Sequence, residues 1–499
     1  MVIFELVRNK KTKEMAPQNK VTKHLHELKG ILQNDEKKSI SIIEMFELFR
    51  NKKLDSFFTG LKSRGANFGE LLLKLILMNV SQMTIFGCLK ITDNDCPSGK
   101  DAYYGVKNNP NIPWRSLLML MFHRFEYLKK KAKSLEYGLI RCLIADDTTL
   151  PKRGKKIEGI SRVWDHVIHR SVLGFKGLFL ALSDGKSFLP FDFSMHNERG
   201  KSPQKPYGMK KKDLKARYNK SRKEDAPGLH RKQTLIDSKV ASLISMLKGA
   251  FSKGVKAEYL LVDSWFMCEE LIRFIFKKPT MFILGMCKMG NAKYACNGKL
   301  YSAKQLLNRC KRTLKMKRAR YIFARYYVID VGYKNMQVRL YFCQYRNQKT
   351  WNLLLTDNMK LSFDDAIKIY QIRWGIEVFF KEAKQYLKLG KCQSNDFDAQ
   401  IADISIILIT YMMLSLKRRF QVYESIGEAF REVQHELIET TLTERIWGLF
   451  VEILCSVFAI LEIDPDELIE IMLQDDRFEK SFIVFLGESI EAETVRKAA

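Results

Sequence analysis

A chain of 499 residues with 46% hydrophobic content can bury a sizeable core, which excludes global disorder and leaves room for two to four domains. Its formal charge of +29 is uneven: after position 420 there are 18 Asp and Glu against 6 Lys and Arg, so the first 420 residues carry +41. A body that basic repels itself unless it meets a polyanion, and nucleic acid is the expected partner; no long basic amphipathic helix supports a membrane surface instead.

Residues 1–38 are polar and basic and are expected to form a loose arm with one short helix. Residues 39–133 carry a helical pattern, with apolar faces at Ile42, Phe46, Phe49 and along residues 71–78, broken at Gly65 and around residues 93–99 and 108–113. A compact basic helical domain fits, as DNA-binding domain or as plain helical bundle. Residues 139–145 then form a short apolar run that ends in Asp146-Asp147-Thr148-Thr149. A buried strand ending in acids places them at the mouth of a sheet, where ligand sites form; an Asp cap on a turn is the structural alternative.

Residues 172–195 read as a hairpin around Asp184-Gly185. Residues 197–232, with Gly200, Pro203, Pro206, Gly208 and the run Lys210-Lys211-Lys212, read as a long mobile basic loop suited to phosphate contact. A helix is expected over 236–251, a strand over 259–262 ending at Asp263, a helix over 268–276 and a strand over 281–284. Residues 285–347 turn β-rich. Two long runs, 321–331 and 336–345, are joined by Gly332-Tyr333-Lys334-Asn335, and no helical face can be traced through that hairpin. A short strand at 353–355 precedes helices to the end of the chain. The apolar run 401–416 contains Asp403 and falls short of the ~20 residues of a membrane span, so a buried helix is expected. The ten cysteines are scattered, with Cys287 and Cys296 a candidate local pair, and reduced cytosolic thiols are expected.

A helix is expected to begin at Phe363 and to run through residues 370–388. Tyr370, Arg373, Glu377 and Lys384 fall at roughly 0°, 300°, 340° and 320° around it at about 100° per residue, a single stripe with Lys381 at its margin. One acid among fixed cations suits a carboxylate that holds metal beside cations that hold phosphate. Asp147 and Asp263 at strand ends and Glu377 on a helix would together offer only oxygen ligands, favouring Mg²⁺ or Mn²⁺; two such ions can drive phosphodiester chemistry. Neither a Ser-His-Asp arrangement nor a P-loop competes.

The spacing Tyr-x2-Arg-x3-Glu-x6-Lys at Tyr370, Arg373, Glu377 and Lys384, preceded by Ala145-Asp146-Asp147-Thr148-Thr149 and Leu261-Val262-Asp263, resembles the bacterial insertion-sequence DDE transposases of the insertion sequence 4 family. The resemblance spans residues 139–418. It implies an α/β, RNase H-like catalytic core at 136–420 with a β-rich insertion near 285–350, a basic arm and helical domain at 1–135 that is DNA-binding or a plain bundle, and an acidic helical region at 421–499 for oligomerisation or as a solvated cap. It further implies Asp147, Asp263 and Glu377 as metal-binding catalytic triad, with Asp147 favoured over Asp146 because it directly precedes Thr. Tyr370, Arg373 and Lys384 would contact DNA phosphates.

The implied activity is Mg²⁺-dependent cleavage of element ends and strand transfer into target double-stranded DNA. It would be carried out by a homodimer in the bacterial cytoplasm, with two metal ions per site and Mn²⁺ able to substitute. An inactive DNA-binding scaffold, or a nuclease that cuts without joining, are the alternatives. Some members capture a flipped base with a Trp just before a Leu-Leu-Leu-Thr strand; here Asn352 holds that place and Trp351 lies one residue earlier, with core packing as the competing role. His166, near Trp164, Asp165 and His169, reads as a structural histidine or a metal-site neighbour, and Phe379-Phe380 as core.

Overall fold

The computed structural model describes residues 41–61, 65–91, 98–132, 139–200, 202–346, 348–420, 423, 425–435 and 437. Residues Ile42–Gly87 and Ser98–Glu432 form one compact unit; the other, Met1–Ser41, Cys88–Pro97 and Val433–Ala499, is almost wholly outside the described residues. The expected basic arm and most of the acidic C-terminal region therefore also lie outside them.

The larger unit begins with helices α1 (Ile42–Phe49), α2 (Lys52–Leu61), α3 (Phe68–Val80), α4 (Lys100–Lys107) and α5 (Trp114–Lys131). Their apolar faces are buried: Phe46, Phe58, Leu72, Tyr103 and Phe122 are each at most 2% exposed. A mixed sheet follows. Its first strands are β1 (Cys142–Pro151), β2 (Ser161–Asp165), β3 (Arg170–Ser183) and β4 (Phe188–His196). β3 pairs antiparallel with β1, β2 and β4. Gly174 makes close pairing with β1 possible, since a Cβ there would sit 2.3 Å from the Leu150 carbonyl oxygen. The expected hairpin at Asp184-Gly185 is present, with Gly185 at φ 84°.

Short helices α6 (Lys211–Lys215) and α7 (Pro227–Gln233) lead to α8 (Lys239–Ser252), which the Ser238 side chain caps by accepting from Ala241 N at 3.0 Å. Next come β5 (Tyr259–Val262), α9 (Glu269–Phe276) and β6 (Phe282–Cys287). β1, β5 and β6 run parallel, so the order β4-β3-β1-β5-β6 joins an antiparallel half to a parallel half. This mixed α/β arrangement is consistent with an RNase H-like core.

Beyond β6 the sheet continues through β7 (Lys293–Cys296), β8 (Lys299–Ser302), β9 (Lys317–Ala319), β10 (Ala324–Tyr333), β11 (Met336–Tyr345) and β12 (Asn352–Thr356). β10 and β11 form the expected hairpin, turning on Lys334 and Asn335, both left-handed at φ 47° and 64°. A helix, α10 (Ala303–Thr313), does lie in this β-rich stretch, ahead of the hairpin. Ser302 and Gln305 form its capping box.

The helix expected over residues 370–388 is two helices, α11 (Phe363–Gln371) and α12 (Trp374–Gln385). Between them the backbone tightens: Arg373 N bonds Tyr370 O, Gly375 N bonds Ile372 O and Ile376 N bonds Arg373 O, each three residues back. Such i→i+3 bonding nearly eclipses side chains three apart. Consistently, the Arg373 guanidinium carbon lies 5.7 Å from the Tyr370 ring centre.

The last described long helix, α13 (Phe397–Phe420), is the expected buried helix. It has the length and hydropathy of a membrane span, but 94% of its most apolar stretch is buried inside the protein. Its Asp403 pairs with Lys107 at 2.8 Å. It packs on β4 and on α1, α3, α4 and α5, while Phe122 of α5 meets Phe191 of β4 at 4.8 Å between ring centres. Phe379 and Phe380 of α12 pack on Phe179 of β3, as core residues should. None of the eight described cysteines, Cys287 and Cys296 among them, is in a disulfide.

Residues 197–232 are not the open loop their composition suggested. Arg222 is buried there in an ion-pair cluster: its Nη2 lies 2.6 Å from Glu158 Oε2 and its Nε 3.0 Å from Asp398 Oδ2. Lys220 pairs with Asp396 at 2.8 Å and Lys232 with Glu158 at 2.8 Å. Composition alone hides this because the acids that anchor the segment lie more than sixty residues away in sequence.

Candidate active site

β1 does not end at its acids. Its parallel pairing with β5 stops at Ala145 opposite Val262, while its antiparallel pairing with β3 carries on to Pro151. Asp146 and Asp263 are thus the next residues in register on two neighbouring parallel strands. In-register neighbours share a face of the pleat, and residues one apart do not. Asp146 is thereby turned to the side of Asp263, and Asp147 to the other.

The side-chain contacts follow that division. Asp146 Oδ2 accepts from Arg373 Nη1 at 3.0 Å, and Arg373 Nη2 bonds Glu377 Oε1. Asp147 Oδ2 instead accepts from Lys239 Nζ at 3.0 Å and lies 3.8 Å from Lys176 Nζ. Lys239 also stands over the Trp265 ring at 3.8 Å. The structure thus sets the two acids apart: Asp146, not the expected Asp147, is tied through Arg373 to Glu377. The physical reason is the alternation of a strand, which sends neighbouring side chains to opposite faces.

Asp263 is fixed by a local turn, its Oδ1 accepting from Trp265 N at 2.9 Å and Phe266 N at 3.3 Å. The stripe of α11 and α12 lies along this edge of the sheet. Tyr370 OH donates to Val262 O at 3.3 Å, Arg373 to Asp146, and Lys384 Nζ to Thr148 Oγ1 at 2.7 Å. Val262, Asp146 and Thr148 are met in order along the stripe.

Burial, and then the negative charge of Asp263, push Asp146 up to about 7, against the opposing pull of Arg373. Burial likewise pushes Tyr370 up to about 12, so its hydroxyl stays protonated and can donate. On the Asp147 side, His196 is pulled down to about 4 by burial and stays neutral, held between Ser194 Oγ at 2.8 Å and Asp237 O at 3.2 Å.

Among the described residues no three acids, histidines or cysteines close on one point as metal ligands. The chemistry of the donors nonetheless suits a hard cation: all are oxygen, and burial, with the nearby charge of Asp263 adding to it, lifts Asp146 toward neutrality. Arg373 bridges Asp146 and Glu377.

The remaining sequence candidates lie elsewhere. Trp351 precedes β12, stacks on Tyr327 at 5.5 Å and is flanked by Lys311 and Arg325. His166 and His169 sit exposed in the turn between β2 and β3, with His166 edge-on to Trp164. Sequence reasoning missed Lys239 and Lys176. The start of a helix and the middle of a hairpin strand do not advertise contact with an acid more than twenty-five residues away. Alternation on β1 and β3 was the one available signal for Lys176, which is opposite Thr149.

Comparison with known protein families bears on what this edge does. Residues 237–413 match the family model described as Transposase DDE domain, and residues 57–287 match the one described as DDE superfamily endonuclease. The first range holds Asp263 and Glu377, and the second holds Asp146, Asp147 and Asp263. No curated protein matches the chain. The two family matches, overlapping across β5 and Asp263, support a transposase-like nuclease of the DDE superfamily.

Proposed function

We propose that the chain is a transposase of the Tyr-Arg-Glu-Lys signature group that cuts the ends of a DNA element and joins them to target DNA. The observation that carries this reading is the alignment of Tyr370, Arg373 and Lys384 with Val262, Asp146 and Thr148 along the edge that Asp263 closes. One acid from each of two adjoining strands and one from the facing helix then stand beside fixed cations, in a body rich in positive charge.

Asp146, Asp263 and Glu377 are the residues that would hold two Mg²⁺, or Mn²⁺ in their place; Asp147 is the sequence-favoured alternative to Asp146. Bound, the ions supply a Lewis acid for the scissile phosphate and charge for the leaving oxygen. The chain's own residues do the rest. Arg373 moves from its two carboxylates to a phosphate oxygen, for which its planar fork is suited. Lys384 neutralises a neighbouring phosphate, and Tyr370 orients the backbone through its protonated hydroxyl. Water attacks the phosphorus at the element end and gives up a proton as the P–O bond to the 3′-oxygen breaks, leaving a 5′-phosphate and a 3′-hydroxyl; that hydroxyl then attacks the opposite strand or the target in line, forming one P–O bond as the old 3′-oxygen leaves the same phosphorus with a proton. Synapsis of two ends calls for a homodimer, acting on DNA in the bacterial cytoplasm.

The test is cleavage of duplex DNA bearing the element's own ends in Mg²⁺, followed by a strand-transfer assay. Wild type cuts and joins, and Glu377→Ala binds the same DNA without cutting. Equal cutting by both proteins rejects the site. Cutting without joining makes the chain a nuclease of the same superfamily, and DNA binding without any cutting makes it an inactive scaffold.

A further inference from the structure

The turn between β2 and β3 has no role in the chemistry proposed above, yet its composition is unusual. Alternation along β2 buries Ser161 and Val163 and turns Arg162 and Trp164 outward. The turn itself is His166-Val167-Ile168-His169, with His169 in the left-handed region at φ 49°. Tight turns favour Gly, Asn, Asp and Ser. This tip instead presents two branched aliphatic side chains, Val167 at 87% and Ile168 at 47% exposed, next to Trp164 at 41%. Single apolar residues on a surface need no partner, but three gathered on one protrusion form the kind of patch that marks a contact.

The backbone of the tip is fixed. Asp165 Oδ1 accepts from Val167 N at 2.9 Å and from Ile168 N at 3.4 Å, and Trp164 N donates to Glu198 Oε2 at 2.9 Å. Both acids are thus turned to the backbone, and the exposed charges of the hairpin, Arg162 and Arg170, are basic. Asp165 also ties the tip to the acid edge. Burial opposes its ionisation, but the N–H groups of Val167 and Ile168, the Thr149 hydroxyl and the Lys176 charge hold its carboxyl below the ordinary value. Thr149 follows Thr148, which accepts from Lys384. Burial pulls Lys384 down, and the Asp165 charge opposes that pull.

Shape and charge select the occupant. An apolar protrusion flanked by arginines fits a polyanion whose apolar surface lies between charged edges, which describes duplex DNA. A two-stranded ribbon matches the major groove, about 12 Å wide, and is too broad for the minor groove of about 6 Å. In the major groove the apolar feature that Val167 and Ile168 can meet is the thymine methyl.

We propose that the β2–β3 tip enters the major groove of the DNA next to the strand held by Lys384, with Val167 and Ile168 against thymine methyls and Arg162 and Arg170 on the flanking phosphates. The inference rests on the function proposed above and adds a groove contact to it.

The experiment is fluorescence anisotropy of the full chain on the element-end duplex without divalent ions, so that nothing is cut. The duplex is made once with thymine and once with uracil, which lacks the methyl. Wild type binds the uracil duplex several-fold more weakly. Val167→Ser combined with Ile168→Ser weakens binding of the thymine duplex several-fold, loses the discrimination and keeps the slope of log affinity against log salt. Arg170→Gln keeps the discrimination and lowers that slope by about one. Circular dichroism verifies that each variant is folded, and Val167→Ser alone stands in if the double variant is not. Equal binding of the two duplexes by wild type, or undiminished discrimination in a folded tip variant, overturns the proposal. So does loss of a DNA-free dimer in that variant by sedimentation velocity, which would make the tip a contact between two copies. Wild type that cuts and joins end DNA without tip-dependent discrimination removes the groove contact alone. Tip-dependent discrimination on DNA that Mg²⁺ never causes to be cut removes the cleavage alone, and no binding of duplex removes both.

Discussion

Arg373 ties the sheet to the helix above it: Nη1 donates to Asp146 Oδ2 at 3.0 Å, and Nη2 bonds Glu377 one turn further along. On the function proposed above, a divalent cation and the Arg373 guanidinium would compete for the same oxygens, and a DNA phosphate offered to Arg373 would favour the exchange.

That competition predicts opposite effects of one substitution. In Arg373→Gln, DNA-free protein binds Mn²⁺ several-fold more tightly than wild type, while cleavage of end DNA falls at least ~10-fold through loss of a phosphate contact. Electron paramagnetic titration of Mn²⁺ and a cleavage assay read the two effects. Unchanged Mn²⁺ affinity contradicts the competition.

The register of β1 predicts which adjacent acid matters. Asp146→Asn lowers cleavage by at least ~100-fold, a loss of roughly 3 kcal/mol of transition-state stabilisation. Asp147→Asn, which removes the partner of Lys239, costs less than ~10-fold. Single-turnover cleavage in Mg²⁺ measures both, and the reverse order restores Asp147 as the strand's ligand.

Asp146 also sets a pH dependence. Its folded value of about 7 lies above the ordinary carboxylate value of 3.8. The folded chain then keeps a proton that the unfolded chain releases, so stability falls as pH rises from about 4 to about 7 and levels off above. Without divalent ions, the urea midpoint of wild type should drop relative to Asp146→Asn between pH 5 and pH 8. Parallel profiles would show that Asp146 is ordinarily acidic.

The Glu158–Arg222 pair predicts the opposite slope. Burial disfavours the charged Glu158, but hydrogen bonds from Arg222 and Lys232 outweigh it and hold the carboxyl down to about 2. Its contribution is complete above the ordinary carboxylate range and is lost as pH falls toward 2. Arg222→Met, which leaves Glu158 and Asp398 buried with fewer partners, is expected to cost about 3–5 kcal/mol at neutral pH. Denaturant unfolding measures it, and a loss below ~1 kcal/mol would mean the cluster does not anchor this segment.

Lys384 should act through phosphate alone. Lys384→Met weakens end-DNA binding and lowers the slope of log affinity against log salt by about one, with no effect on Mn²⁺ binding in the absence of DNA. Fluorescence anisotropy over a salt series checks this. An unchanged slope removes Lys384 from the DNA contact.

The sequence by itself determined the chemical inventory and most of the elements. Spacing alone identified the stripe Tyr370, Arg373, Glu377 and Lys384, and apolar runs located β5, the hairpins at Asp184 and Lys334, and the buried helix around Asp403. These readings hold because they rest on local periodicity, which neighbouring residues decide. The choice between Asp146 and Asp147 depends on the register of β1 against β5, a pairing across more than a hundred residues, and one residue of register reverses the face. The burial of Arg222 likewise depends on partners distant in sequence. Tertiary structure decided those, since packing and burial fix them and periodicity carries no record of either.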